Sequence, residues 1–201
     1  MSERRSGVSR AARVEDLPAL AVSLASAFHE DPLWGQWAFP DASTRAERLA
    51  ELMRAWAAAA IRYPWVRVTG RAASVAVWIP PGQAEMTLQQ EADFHALVGD
   101  LLGERARELE ALFASFSAHH PEEPHYYLSL WGTRRDHAGK GLGTALLREN
   151  LASIDAERMP AYLESTNPAN VARYEALGFE PRSEFGPPGG PVITTMWREP
   201  R

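Results

Sequence analysis

The apolar positions change period along the chain, and each change marks an element. Over 14–29, Leu17, Leu20, Ala21, Leu24 and Phe28 recur at spacings of three and four, which predicts a helix. Pro18 falls in its first turn, where a missing N–H costs little. His29-Glu30-Asp31-Pro32 closes it, since the residue before a proline resists helical backbone. Residues 8–13 ahead of it read as a short strand. Leu33, Trp34, Trp37 and Phe39 then form a proline-ended aromatic patch, either a loop that buries its rings or a wall of a substrate pocket. A second helix is predicted over 44–63, capped by Asp41 or Ser43, with Leu49, Leu52, Met53, Trp56 and Ile61 on its apolar side.

The period then drops to two. Residues 65–69 and 74–79 read as strands joined at Gly70-Arg71, with Val75 and Val77 alternating with Ala76 and Trp78. Pro80-Pro81-Gly82 stops the second strand. Residues 86–119 return to helical spacing as two helices broken near Gly103. This insertion carries no catalytic signature. It is expected to close over the substrate side of the sheet or to pack against a partner subunit, so a homodimer is allowed. His119, His120 and His125 do not read as a metal site, because no carboxylate spacing completes one and prolines separate them.

The stretch from His125 to Gly143, HYYLSLWGTRRDHAGKGLG, organises the rest. An apolar run around Leu128 and Leu130 predicts a buried strand. The polar turn 133–137 follows, then Gly139, Gly141 and Gly143, then a helix over 143–158 with Leu142, Leu146, Leu147, Leu151 and Ile154 inward. Glycine lets backbone approach a ligand closely, and a helix start offers unpaired N–H groups and a positive dipole end. Strand, glycine turn and helix start together make a seat for phosphate or pyrophosphate. Beyond it come a strand over 161–165, a helix opened by the cap Asn167 and by Pro168 and closed by Gly178, and two last strands over 179–185 and 192–197.

Composition narrows the classes. The chain has 201 residues, suiting one domain over 1–201 with the insertion at 86–119. A net charge of -5 argues against a general nucleic-acid grip. The absence of cysteine removes disulfides, thiolate zinc sites and a cysteine nucleophile. No stretch has the apolar length to span a membrane, and the charged amino terminus lacks a signal-peptide core, so a cytoplasmic location is expected.

Gly139-Lys140-Gly141-Leu142-Gly143-Thr144, after a strand ending in Trp131-Gly132-Thr133, resembles the acetyl-CoA signature of the GNAT superfamily of N-acetyltransferases. Asn167, seven residues before Tyr174 in NPANVARYEALGF, resembles the second half of that pattern. The likeness is strongest over 125–197. The segments GGPVITTMWREP and AYLEST are similar to the actinobacterial branch that includes puromycin acetyltransferase. A lone glycine turn would carry little, and the P-loop pattern is absent; the conjunction gives the specificity. Ala138 stands where the family pattern has Gln or Arg. Lys140, Arg134 or Arg135 are at hand to supply positive charge.

The resemblance implies an α/β fold, a mixed twisted sheet flanked by helices, and acetyl transfer from acetyl-CoA to a primary amine of a small molecule, with no metal. It implies that the backbone of Trp131, Gly132 and Thr133 pairs with pantetheine. Gly139, Lys140, Gly141, Leu142, Gly143 and Thr144 would hold pyrophosphate, and Asn167, assisted by Asn170, would contact the pantetheine arm. Tyr174 is the candidate general acid, since a phenol is protonated at neutral pH. Glu164 is the first choice of base, ahead of Glu30 and Asp31, His137 or a water chain. The acidic chain and its tryptophans, Trp34, Trp37, Trp56, Trp78 and Trp131, suit a cationic or aromatic acceptor. Rival readings are a non-catalytic acyl-CoA sensor, a peptide or protein acetyltransferase, and an unrelated phosphate-binding α/β protein.

Overall fold

The computed structural model describes residues 9–201; Val8, at the start of the expected first strand, lies outside them. The described residues form one seven-stranded sheet in the order β1-β2-β3-β4-β5-β7-β6. Its strands are β1 (Arg10–Ala11), β2 (Val66–Thr69), β3 (Ser74–Ile79), β4 (Tyr126–Thr133), β5 (Ala161–Ser165), β6 (Glu180–Phe185) and β7 (Ile193–Arg198). All neighbours run antiparallel except β4 and β5, which are parallel. The parallel step needs a crossover, and α5 (Leu142–Ala156) supplies it.

Both faces are covered, which is why all six residues of β3 are buried. Val75, Val77 and Ile79 point into a core shared with α1 (Leu17–Phe28) and α2 (Arg45–Ala60). Ala76 and Trp78 point the other way, to Leu146, Leu147, Leu151 and Ile154 of α5. Each fully buried Leu or Val in these layers contributes about 2 kcal/mol. Trp78 keeps its indole satisfied by donating to Asn150 Oδ1 at 3.1 Å, which explains a buried Asn on an apolar helix face.

The insertion folds as α3 (Leu88–Leu102) and α4 (Ala106–His119), broken at Gly103 with φ +57°. Thr87 and Gln90 form a capping box at the start of α3. Several boundaries differ from the periodicity. Residues 14–16 form a 3₁₀ turn before α1, and α2 stops at Ala60. The helix after Asn167 shortens to a 3₁₀ turn and then α6 (Val171–Glu175), with the Asn167 side chain accepting from the Ala169 N–H at 3.0 Å.

Two irregularities place the site. The aromatic patch is no open loop: Pro32–Trp37 is a π-helical turn, with Ala38 N–H donating to Leu33 C=O at 2.8 Å. In β4, Leu128 lies opposite Trp78 and Leu130 opposite Val77, so Ser129 is an extra residue, a β-bulge. The bulge turns the strand over. Tyr126 and Leu128 face the α5 side, whereas Leu130 joins the α1 side.

Candidate functional site

The glycine turn is built as a backbone cradle. Gly139 and Gly141 hold φ of +75° and +74°, a region that favours glycine. Gly141 is the N-cap of α5 with no side chain capping it, and the first intrahelical bond runs from Ala145 N–H to Gly141 C=O at 2.9 Å. The N–H groups of Leu142, Gly143 and Thr144 precede that bond and face outward along the helix axis. Gly143 is glycine for space: a Cβ there would lie 2.5 Å from Thr133 Oγ1 and 3.0 Å from the Trp131 ring. Lys140 Nζ folds back to donate to Asp136 C=O at 3.0 Å. Arg134 bonds Asp136 at 2.7 Å and lies 3.0 Å from His137 Nε2.

Beside the cradle the sheet opens. β4 and β5 pair only at Tyr126↔Ala161 and Tyr127↔Tyr162. Beyond the Ser129 bulge the strands part, leaving the β5-facing edge of β4, including Trp131, Gly132 and Thr133, free to pair with an extended ligand. Gly132 lets α1 approach that strand, since a Cβ would sit 2.7 Å from that of Ala27. Tyr174, on α6, is buried in this region with its ring 5.5 Å from Trp131 and 6.0 Å from Phe179. Burial pushes its phenol above the ordinary tyrosine value, and the charge of Asp31 pushes the same way. Tyr174 is therefore a proton donor across the physiological range.

On the other side of the opening lies a cavity of about 900 Å³. Trp34 from the π-turn, Trp56 from α2, Phe94 from α3, and Phe113 and Phe116 from α4 give it an aromatic wall. Their rings interlock, with Trp34 edge-on to Trp56 at 5.0 Å and stacked on Phe116 at 6.3 Å. The insertion thus lines the cavity. Of the other tryptophans named above, Trp78 is core, Trp37 stacks under Arg105 at 4.8 Å, and Trp131 packs on Tyr174.

The cavity's inner end is acidic. Glu164 on β5 has a side chain only 3% exposed, and its Oε1 has no hydrogen-bond partner. The nearest cation-capable group is His120 Nδ1, at 3.8 Å. Across from it Glu85 Oε1 accepts from Trp56 Nε1 at 2.8 Å and from the Ser129 hydroxyl. Burial raises the proton affinity of Glu85 above that of an ordinary carboxylate; its two donors oppose the shift and the charge of Glu164 adds to it. Burial and these two carboxylates also hold Tyr127 protonated.

The other base candidates are placed differently. Asp31 is buried and occupied, accepting from the N–H groups of Leu33 and Trp34 and from Thr166 Oγ1 at 3.0 Å. It pins the π-turn to the end of β5. Glu30 is exposed and paired with His29 and Arg135, on the side of the glycine turn. Glu164, Thr166 and Ser129 come together at the cavity, whereas Tyr174 and the glycines do not line it. Asn167 spends its Oδ1 on its own helix cap and keeps its amide N–H groups for a ligand; Asn170 sits at the start of α6. The sequence reading missed Glu85, Ser129 and the role of His120. Glu85 sits in an irregular stretch after Pro80-Pro81-Gly82, and its one sequence signal is that it follows the strand neighbouring β4. Among the described residues no His, Asp and Glu side chains converge as a metal-holding group.

Residues 80–179 match the model of the acetyltransferase (GNAT) family. Among solved structures, the chain is similar to a Corynebacterium glutamicum protein described as histone acetyltransferase HPA2 and related acetyltransferase. The identity is 24%, with 98% of this chain and 97% of that chain covered and a TM-score of 0.68. Arylalkylamine N-acetyltransferase 2 from Aedes aegypti gives 10% identity, 97% and 99% coverage and a TM-score of 0.64. A polyamine N-acetyltransferase of Drosophila melanogaster gives 15%, 96% and 99%, and 0.55. At these identities the likeness is one of fold.

Proposed function

We propose that this chain, whose residues 80–179 match the model of the acetyltransferase (GNAT) family, moves an acetyl group from acetyl-CoA to the primary amine of a small molecule. One observation carries the reading: the opened edge of β4, the glycine cradle and the acid-ended cavity meet at a single break between β4 and β5. A cavity of about 900 Å³ under α3 and α4 suits a small molecule.

The cradle residues fit acetyl-CoA. Main-chain N–H groups from Gly139 to Thr144, Lys140 and Leu142 among them, would take the pyrophosphate. The free edge of Trp131, Gly132 and Thr133 would take the pantetheine amides, and the Asn167 amide N–H groups, with Asn170 nearby, would finish the arm. When bound, the thioester supplies an electrophilic carbonyl carbon and a thiolate leaving group. The protein's own residues do the rest. Tyr174, kept protonated by burial, donates to the leaving sulfur. Glu164 lines the cavity and so favours a cationic amine there. A cavity carboxylate accepts the amine proton. An ammonium and a thioester become an amide, a thiol and one released proton: the C–N bond forms, the C–S bond breaks, two protons leave nitrogen and one reaches sulfur.

Calorimetric titration with acetyl-CoA tests the seat. The wild type is expected to bind, and Ala138→Gln to bind at least as well, since it restores the side chain of the family pattern. Absence of binding by both would overturn the assignment.

A further inference from the structure

We propose that Glu85 is the catalytic base, and that Glu164 seats the acceptor's ammonium opposite it. The inference rests on the acetyltransferase reading and assigns its proton-accepting step to a residue outside the glycine turn and the Asn167–Tyr174 helix.

Position is the first argument. Ser129, the bulge residue, stands two positions past Tyr127, the last residue of β4 paired with β5. Its hydroxyl holds Glu85, so this carboxylate is anchored at the point where the acceptor cavity reaches the opened strand edge. Glu164 comes from β5, on the opposite side of the same opening. Both carboxylates line the same cavity, so a nitrogen bound in it can meet either.

The division of labour is the second argument. Glu85 Oε1 is fixed by two donors, Trp56 Nε1 and Ser129 Oγ, which leaves its second oxygen to meet a substrate proton in a set orientation. Glu164 also lines the cavity, with the hydroxyls of Tyr127 and Tyr162 beside its carboxylate, and among the described residues it has no Lys or Arg partner. A largely buried carboxylate without a strong counter-charge is costly, and an alkylammonium in the cavity supplies one. Burial raises the proton affinity of Glu85, and the nearby charge of Glu164 adds to it. Its surroundings contain the charges that set it: Glu164 from β5, His120 from the α4–β4 loop, Tyr127 from β4, and Glu91 and His95 from α3 across the cavity. Arg62 and Tyr63, after α2, bond the neighbouring Ala84 carbonyl rather than the Glu85 carboxylate.

The step follows. An ammonium enters between the two carboxylates, its first proton passes to Glu85 and from there to solvent, and the neutral amine attacks. The second proton leaves the nitrogen after attack and restores, through solvent, the proton that Tyr174 gives to sulfur.

The test uses the full chain with acetyl-CoA and 2-phenylethylamine, whose ring suits the aromatic wall, and reads kcat and KM against pH. For the wild type, kcat is expected to fall on the acid side as Glu85 protonates. Glu85→Gln should lower kcat about a hundredfold and remove that acid limb, with melting temperature and acetyl-CoA affinity retained. Glu164→Gln should raise KM more than it lowers kcat. Trp56→Phe removes a donor to the charged form of Glu85, so its acid limb should move to higher pH. Should Glu85→Gln fail to fold, the Trp56→Phe shift decides. Wild-type turnover with an unchanged limb in Glu85→Gln, or loss of the limb in Glu164→Gln instead, would overturn the assignment while leaving the acetyltransferase reading intact. No turnover of any primary amine by the wild type would overturn both.

Discussion

Gly141 and Gly143 stand two residues apart and need glycine for different reasons. Gly141 has open space around it and a φ of +74°, so Gly141→Ala meets only backbone strain, about 1–2 kcal/mol. Gly143 has no such strain, but an added Cβ would press on Thr133 and Trp131. Gly143→Ala must therefore shift the start of α5 against β4, at about 1–3 kcal/mol. Both changes should lower the melting temperature, but Gly143→Ala should weaken acetyl-CoA binding about tenfold more in a calorimetric titration. Equal affinities would show that the cradle is not set by this contact. Tyr174 makes a second residue-level case. Among the described residues nothing is bonded to its hydroxyl, so Tyr174→Phe should leave melting and acetyl-CoA affinity in place while kcat drops about a hundredfold. The sequence exposed these residues because their signal is local: strand, glycines and helix lie within one run, and Asn167 and Tyr174 share another. Glu85 gave no such signal. Its proton affinity is set by burial, with Ser129 and Trp56 donating to the carboxylate and Glu164 nearby, all three distant in sequence.

Among the elements, α5 carries both the cradle and the crossover, and an ion pair ties its far end down. Arg198 of β7 forks onto Asp155 at 2.6 and 2.8 Å and also donates to the Leu177 carbonyl at 3.0 Å. These bonds hold the Asp155 carboxyl below its usual range. A depressed folded-state value means that the stabilisation is present above the unfolded value, near pH 4, and is lost as pH falls through the lower folded value. Asp155→Asn leaves Arg198 buried without a counter-charge, and urea unfolding at about pH 7 should show a loss of about 3 kcal/mol. The gap from wild type should narrow at about pH 3; a gap that does not depend on pH would assign the loss to packing instead. Most elements were legible from period and caps, including the break of the insertion at Gly103. The bulge at Ser129 was not, because YYLSLWGT reads as an unbroken strand and the extra residue exists only relative to β3. The π-turn at Pro32–Trp37 was equally hidden, being fixed by Asp31 accepting from Thr166, just past the end of the distant β5.

Viewed whole, the molecule places two chemistries on opposite sides of one parted strand pair. The side proposed for the cofactor offers backbone N–H groups, and the side proposed for the acceptor offers carboxylates and rings. Glu85, Glu91, Glu122, Glu123 and Glu164 line the cavity, and no Lys or Arg does. A cationic amine should thus be drawn in electrostatically, and raising ionic strength from about 0.05 M to about 0.5 M should increase its KM severalfold. A flat KM would mean that the aromatic wall alone recognises the acceptor. The family and its fold could be read from one half of the chain, whereas the cavity needed the insertion and the β3–α3 loop to meet over the sheet. The account stands most directly on a stoichiometry. Acetyl-CoA and a panel of primary amines would be incubated with the full chain, measuring free thiol and acetylated amine together, with Tyr174→Phe alongside. The account predicts one acetylated amine per thiol released, at a rate sharply reduced in the variant. Thiol release without acetylated amine, or no release with any amine, would contradict it.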